Sequence, residues 1–570
     1  MHRCLQLPEL LCIIFELIYT EDWDGLQTLA ALSVTCRTFH DIALDVLWYW
    51  QPNIGPLVRC FPPDVWTEEC DTNGMHTVSL VREPSPDDWE RFLSYAARIK
   101  SLCHRTTPSR TPLWPPSCLY AMRVQEDVFG TLYRIRNGRS FLPNLRRFER
   151  TQCSKDPAND LAHLRLLLNP KVTDMAIFTM AEFDTTLAVD LDKAVEDFGN
   201  NSPSLQHLTA ICPFIPNIAA TTSKIILNHR SLRTVHLFQA NDTYMSIEAA
   251  VHLAHLPTLE KLCIRSDKFV DTDGSLLPIH SAVSDVMFPA LRLLTLYSHD
   301  LSSVRLFIES IQSTQLESLQ ALVLVPPTAA EVQEFTTTIS ARKSLQSISM
   351  SRGLGSPRFQ DSYTITGDHL RPLLALKDMF DCKIQWRCPL ELDNAFIKDL
   401  ALAWPKIHTL ELGTDWRREL DTLGVTLKGL IPLAQHCPAL EHLGLVFDTD
   451  VSEIVDTYSE QRPGGGVTNG KLLLLSTGTS RIGEDMVTLG GSLSDLFPQL
   501  RHVHSAWGKK ELHDAAGADE DDPDEEELQQ WEQLRRLVRE MGRVRRQERE
   551  WHASAAKDRP SQKRLPIVSA

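Results

Sequence analysis

Few residues in this chain stand at spacings that chemistry requires. Gly464-Gly465-Gly466 and the later Asn469-Gly470-Lys471 lack the joined Gly-Lys-Ser or Gly-Lys-Thr end of a phosphate loop, and Gly353-x-Gly355 reads as a turn. Cys103-His104 and His502-x-His504 could begin a metal site, but no further ligands follow at zinc spacing. Glu182, Asp184, Asp190 and Asp192 are near one another only in sequence and read as a solvated face. No Gly-x-Ser-x-Gly elbow occurs. The expectation is a chain that is no enzyme, with no catalytic residue, no metal site and no cofactor. Its work would then be binding.

Composition sets the frame. The chain has 570 residues, 43% hydrophobic and 23% charged, as in globular proteins. Its formal net charge of -16 argues against nucleic acid as a partner, which would need positive surface. Thirteen cysteines are too dilute for a disulfide scaffold. No apolar run reaches the 18 or so residues of a membrane span and no signal-peptide pattern opens the chain, so no membrane partner and a cytoplasmic or nuclear location are expected.

The elements that must position a binding surface begin at the N-terminus. Pro8 opens an apolar run in which Leu10, Ile13, Ile14, Leu17 and Ile18 recur at helical spacing. Leu26, Leu29, Ala30, Leu32 and Val34 form a second set. Phe39, Ile42, Ala43, Val46, Leu47 and Trp48 form a third. Three short helices within residues 3–50 are expected, too small a unit to bury much surface alone. Residues 51–85 are rich in proline and glycine and read as a linker. Trp89, Phe92, Tyr95, Ala96 and Ile99 then mark a helix within a connector spanning 86–140.

A repeated phrase fills residues 141–508. Leading residues Leu205, Leu232, Leu259, Leu291, Leu319 and Leu345 are separated by 27, 27, 32, 28 and 26 positions. Ile407, Leu440 and Leu500 continue it across two double-length gaps, with weaker copies near Ile384 and at Leu472–Leu475. The phrase is often Pro-x-Leu-x-x-Leu-x-Leu, as at Phe288–Leu296 and Cys437–Leu445. One short strand and one helix per unit, stacked so that neighbours bury each other's apolar side, is the expected architecture. A tail over 509–570 begins with an acidic run at Asp519–Glu527. It continues into a helix marked by Leu528, Trp531, Leu534, Val538 and Met541, with arginines at its far end, where they suit the helix dipole.

The first fifty residues resemble an F-box. Leu7-Pro8-Glu9-Leu10 with Ile13, Ile14 and Phe15, then Leu32-Ser33-Val34-Thr35-Cys36-Arg37, then Ala43 and Leu47-Trp48, follow that family's three submotifs in order. Thr35 stands directly before Cys36-Arg37, where the family has valine. The phrase that follows resembles an irregular leucine-rich repeat, an arrangement similar to that of fungal F-box proteins. The fold class implied is α/β: a small three-helix F-box-like head, a leucine-rich-repeat-like solenoid and a charged tail.

The resemblance implies a substrate-recognition subunit of a cullin-based ubiquitin ligase. Leu7, Pro8, Leu10, Ile14, Val34 and Trp48 would dock a Skp-like adaptor, and through it a cullin. An unidentified target protein would sit on the exposed side of the repeat strands. Candidates there are Arg233, His236, Glu260, Lys261, Arg292, Thr295, Thr409, Glu411, Glu441 and His442, whose mixed charges suit a protein target. The alternative is a leucine-rich-repeat scaffold outside any ligase, its head serving as the terminal cap that such arrays require. An exposed apolar patch on the head separates the first reading from the second.

Overall fold

In the computed structural model, the residues described are 7–19, 23–72, 76–105, 122–136, 140–152, 169–179, 201–212, 218–239, 244–265, 268–270, 276–277, 287–353, 364–416, 423–452, 463–507 and 525–557. The paired acidic residues at 182–192 and most of the acidic run at 519–527 lie outside them. The chain divides into two compact units, Met1–Leu291 and Arg292–Ala570.

The first unit opens with helices α1 (Pro8–Ile18), α2 (Trp23–Ser33) and α3 (Arg37–Tyr49). Leu11, Phe15, Leu29, Ala43 and Val46 form their core, with Leu32, Phe39, Ile42 and Leu47 packed around it. Phe15 meets Phe39 edge to face at 5.4 Å. Strand β1 (Trp50–Gln51) follows α3 directly and pairs in parallel with β4 (Ser101–Arg105). Between them lie β2 (Trp66–Cys70), β3 (His76–Leu80) and helix α4 (Trp89–Ala96), and β5 (Met122–Val124) comes after. β2 and β3 are antiparallel, and β5 joins β3 in parallel. The stretch expected to be a linker therefore carries a hairpin.

From β4 the parallel sheet runs through β6 (Arg147–Gln152), β7 (Asp174–Thr179), β8 (His207–Cys212), β9 (Thr234–Gln239) and β10 (Lys261–Arg265). One buried ladder crosses it: Leu102, Phe148, Met175, Leu208, Val235 and Leu262 stand in register. The second unit repeats the scheme with β11 (Leu293–Ser298), β12 (Ser318–Val323), β13 (Ser347–Arg352), β14 (Asp381–Gln385), β15 (Thr409–Leu412), β16 (His442–Leu445), β17 (Leu474–Ser476) and β18 (His502–His504). Its ladder is Leu294, Leu319, Ile348, Cys382, Leu410, Leu443, Leu475 and Val503. All eight are buried.

The repeat phrase corresponds to a recurring backbone device. Most strands of the parallel sheets begin where two successive N–H groups donate to one carbonyl of the preceding repeat. Glu317 and Ser318 donate to Arg292, Gln346 and Ser347 to Glu317, and Arg501 and His502 to Leu473. Just ahead of that point sits a wholly buried apolar residue, as Leu205, Leu232, Leu259, Leu291, Leu345, Ile407 and Leu440 do. One position is corrected. In the repeat that the spacing leads with Leu319, the leading residue is Leu316, and Leu319 is already in the ladder, because both are apolar and three apart. The two double gaps each hold a strand, β14 entered through buried Met379 and β17 through buried Leu472.

Helices on the buried side of the second unit start at side-chain caps, each satisfying an otherwise orphan N–H. Asp300 accepts from Ser303, Thr328 from Glu331, Asp393 from Phe396 and Asp485 from Thr488. Gly429 and Pro432 both lie inside the helix Leu427–His436, and Gly429 makes room for the Asn394 side chain, whose Oδ1 would stand 2.3 Å from an added Cβ.

The last helix is packed over much of its length. Helix α6 (Glu525–Lys557) lies on α5 (Met486–Leu496), burying Trp531, Leu534 and Val538. The Trp531 indole N–H donates to the Ser480 carbonyl at 2.9 Å, and Arg545 donates to the Gly491 carbonyl at 2.6 Å. The helical part of the charged tail thus covers the end of this unit's repeat stack.

Candidate protein-docking surfaces

Helix α1 is apolar on two faces. Leu11 and Phe15, four apart, point into the head's core. Leu10, Ile13, Ile14 and Leu17, at i, i+3, i+4 and i+7, share another face and are 39%, 53%, 37% and 78% exposed. Leu7, the residue before the helix, extends this stripe at 50% exposed. Pro8 occupies the first helical position and is also exposed. Val34, in the turn between α2 and α3, is 82% exposed. A continuous apolar stripe on one helix differs from singly scattered apolar residues, which need no explanation.

Trp48 is placed differently from its fellow candidates. It is half-buried, its ring stacked on Tyr95 of α4 at 4.6 Å. Beside it, Arg98 binds both Asp41 and Asp45 of α3. This side of the head is thus fastened to the rest of its unit, while the α1 stripe is left open. Ile13 and Leu17 belong to the stripe but were not among the sequence candidates, although their spacing from Leu10 was legible.

The second surface is the exposed side of the strands. Side chains alternate along each strand, so β11 buries Leu294 and Leu296 and leaves Thr295 and Tyr297 partly open. In register with Thr295 stand Gln320, Ser349, Lys383, Glu411, Gly444, Ser476 and His504. Thr409 and His442 neighbour each other two positions earlier on their strands, on the same face. Four of the charged candidates on this side are paired between adjacent repeats. Arg233 binds Glu260 at 2.7 Å and Arg292 binds Glu317 at 2.6 Å, while Glu411 lies 3.8 Å from Lys383. Lys261 is exposed at the start of β10 and Glu441 half-buried before β16. His236 is half-buried in β9, and burial pulls its pKa below the ordinary value, favouring the neutral ring. At the entry to β14, Phe380 is 44% exposed and stacks on His408 at 3.8 Å.

The early chemical candidates resolve into structural positions. Cys103 is buried in β4, His502 and His504 lie on the last strand, and Gly464–Gly466 form a short 3-10 turn. Among the described residues, no three His, Cys, Asp or Glu side chains are grouped so as to hold a metal ion. No described helix is long and apolar enough to cross a membrane.

The described residues define an α/β protein with N-terminal helices and parallel sheets built from leucine-rich-repeat-like units. No protein-family model matches the chain, and no curated protein matches it. Among solved structures, a chain in the crystal structure of the Rad7 and Elc1 complex in yeast overlaps 57% of this chain and 72% of its own length, at 13% identity and a TM-score of 0.34. An overlap that loose identifies neither a family nor a function.

Proposed function

We propose that the chain is the target-recognition subunit of a cullin-based ubiquitin ligase. Its head would dock a Skp-like adaptor through Leu7, Pro8, Leu10, Ile14 and Val34, joined by Ile13 and Leu17. The exposed side of the repeat strands would hold a target protein. The reading rests on the resemblance of residues 3–50 to an F-box, and the observation that carries it is the exposed α1 stripe. A head serving only as a cap would turn its apolar residues toward the repeats, whereas Leu7 and four residues of α1 stay at the surface. Trp48 and the Arg98 ion pairs supply a capping contact through α3, so capping and docking use different sides of one small unit. The chain would contribute no catalytic group. It would hold the target near a ubiquitin-charged enzyme, raising its effective concentration.

The test is a binding assay between the full-length protein and a Skp-like adaptor, with an Ile13→Ser, Ile14→Ser, Leu17→Ser variant in parallel. Micromolar or tighter binding by the native chain, lost in the folded variant, supports the ligase reading. No binding by the native chain leaves a capped repeat scaffold.

A further inference from the structure

The hairpin β2–β3 brings together a nucleophile, a base and an orienting carboxylate. Its antiparallel register sets Cys70 opposite His76, and Glu68 opposite Val78. Cys70 and Glu68 are two apart, so both lie on one face of β2, with His76 on the facing strand opposite Cys70 and diagonal to Glu68. The contacts follow. Glu68 Oε1 lies 2.5 Å from His76 Nδ1, and His76 Nε2 lies 3.8 Å from the Cys70 sulfur. Arg59 Nη2 donates to the other Glu68 oxygen at 2.5 Å.

The chemistry of each partner fixes its role. An ionised carboxylate only accepts hydrogen bonds, so His76 Nδ1 carries the proton and the Nε2 lone pair faces the thiol. Burial pushes the Glu68 carboxyl up, but hydrogen bonds from Arg59 and His76, with the Arg59 charge, outweigh it and hold the group below its ordinary value. Glu68 is therefore ionised at neutral pH and orients the ring. The thiol has one other contact, the Asp71 carbonyl at 3.6 Å. Among the described cysteines, Cys70 is the exposed one. Seven others are buried, and burial pushes the Cys60 thiol up to about 11 and those of Cys382, Cys388 and Cys437 up to about 12.

We propose that Cys70, His76 and Glu68 form a reactive-thiol site at which Cys70 is oxidised by hydroperoxides to a sulfenic acid. His76 Nε2 takes the thiol proton as the sulfur attacks one peroxide oxygen. The S–O bond forms and the O–O bond breaks. The proton passes to the leaving hydroxide or alkoxide, giving water from hydrogen peroxide or an alcohol from an organic hydroperoxide. Sulfur is oxidised by two electrons and the peroxide is reduced by two. A small reactant suits the position, since a thiol at an exposed strand end can be reached from solvent without a shaped pocket. The carboxylate–imidazole–thiol order is that of cysteine hydrolases, but here it acts on the protein's own sulfur.

The test treats full-length protein with hydrogen peroxide at neutral pH, traps sulfenic acid with dimedone and follows the adduct on the Cys70 peptide by mass spectrometry. The urea-unfolded chain is the unactivated reference. Folded protein is expected to react about tenfold faster at Cys70, below the hundredfold or more of general-base catalysis in enzymes. His76→Ala should lose that advantage and regain part of it in added imidazole. Glu68→Gln should lose several-fold with an unchanged thermal midpoint. The proposal is overturned if Cys70 reacts equally fast folded and unfolded, or if His76→Ala and Glu68→Gln, both folded, react as the native chain does.

Discussion

The two apolar faces of α1 make opposite predictions for substitutions two residues apart. Phe15 is 2% exposed and packs edge-on against Phe39. Truncating it to alanine removes a buried ring from a three-helix core, at a cost of about 3–5 kcal/mol. Leu17 is 78% exposed, so Leu17→Ser removes little packing and should stay within about 0.5 kcal/mol. The head is a small part of the chain, so global unfolding would report it poorly. Hydrogen exchange read by mass spectrometry on peptides from residues 7–49 reports it directly. At about 1.4 kcal/mol per tenfold, Phe15→Ala should accelerate exchange there about a hundredfold or more, unless the head's local opening energy is smaller and protection is lost outright. Leu17→Ser should leave exchange within about threefold of native. Equal loss of protection in both variants would refute the assignment of faces and mean that the chain itself covers the stripe.

Asp415 gives a pH-dependent prediction. Burial raises its carboxyl to about 6, against partial compensation from Arg387. The folded state therefore holds a proton between about pH 4 and 6 that the unfolded state has released, and stability falls as pH rises through that window. Asp415→Asn keeps an acceptor for the Arg387 N–H, now 3.1 Å from the carboxylate. It should raise the thermal midpoint at pH 7.5, recovering up to about 3 kcal/mol, and leave it unchanged at pH 4. Gly490 touches α6, where an added Cβ would lie 2.9 Å from Leu537 and 3.3 Å from Leu534. Gly490→Val should loosen that helix by about 1–3 kcal/mol, seen as at least fivefold faster tryptic cleavage among its arginines. The Arg233–Glu260 pair is roughly half-exposed on its arginine side. A double-mutant cycle there should give a coupling below about 1 kcal/mol, measured by urea unfolding and shrinking further in high salt.

Much of the architecture was legible in the chain. The period of 26–33 residues announced stacked strand–helix units, because one unit cannot bury its apolar side alone. Buried ladder residues such as Leu208, Val235 and Leu262 recur at that period. The three head helices and the helix after the acidic run were also readable from spacing. Where the reading slipped, two apolar residues competed for one role, as Leu316 and Leu319 did. Spacing three residues apart cannot say which of them enters the strand and which lies within it.

What the tertiary structure alone decided concerns partners. Helical periodicity marks both faces of α1 as apolar, yet only packing against Leu29, Ala43 and Val46 shows that Leu11 and Phe15 are core and Leu17 is surface. Trp48 carries a motif position in sequence, and only Tyr95, 47 residues away, gives it an internal contact. The tail helix reads as charged, and α5 makes it a cover. Cys70 and His76 are six residues apart in a stretch rich in proline, and only the hairpin's register sets them face to face with Glu68 behind. The physical reason is common to all four. A sequence specifies which side chains share a face of one element through its local period, whereas what that face meets depends on contacts across the chain that local periodicity does not encode.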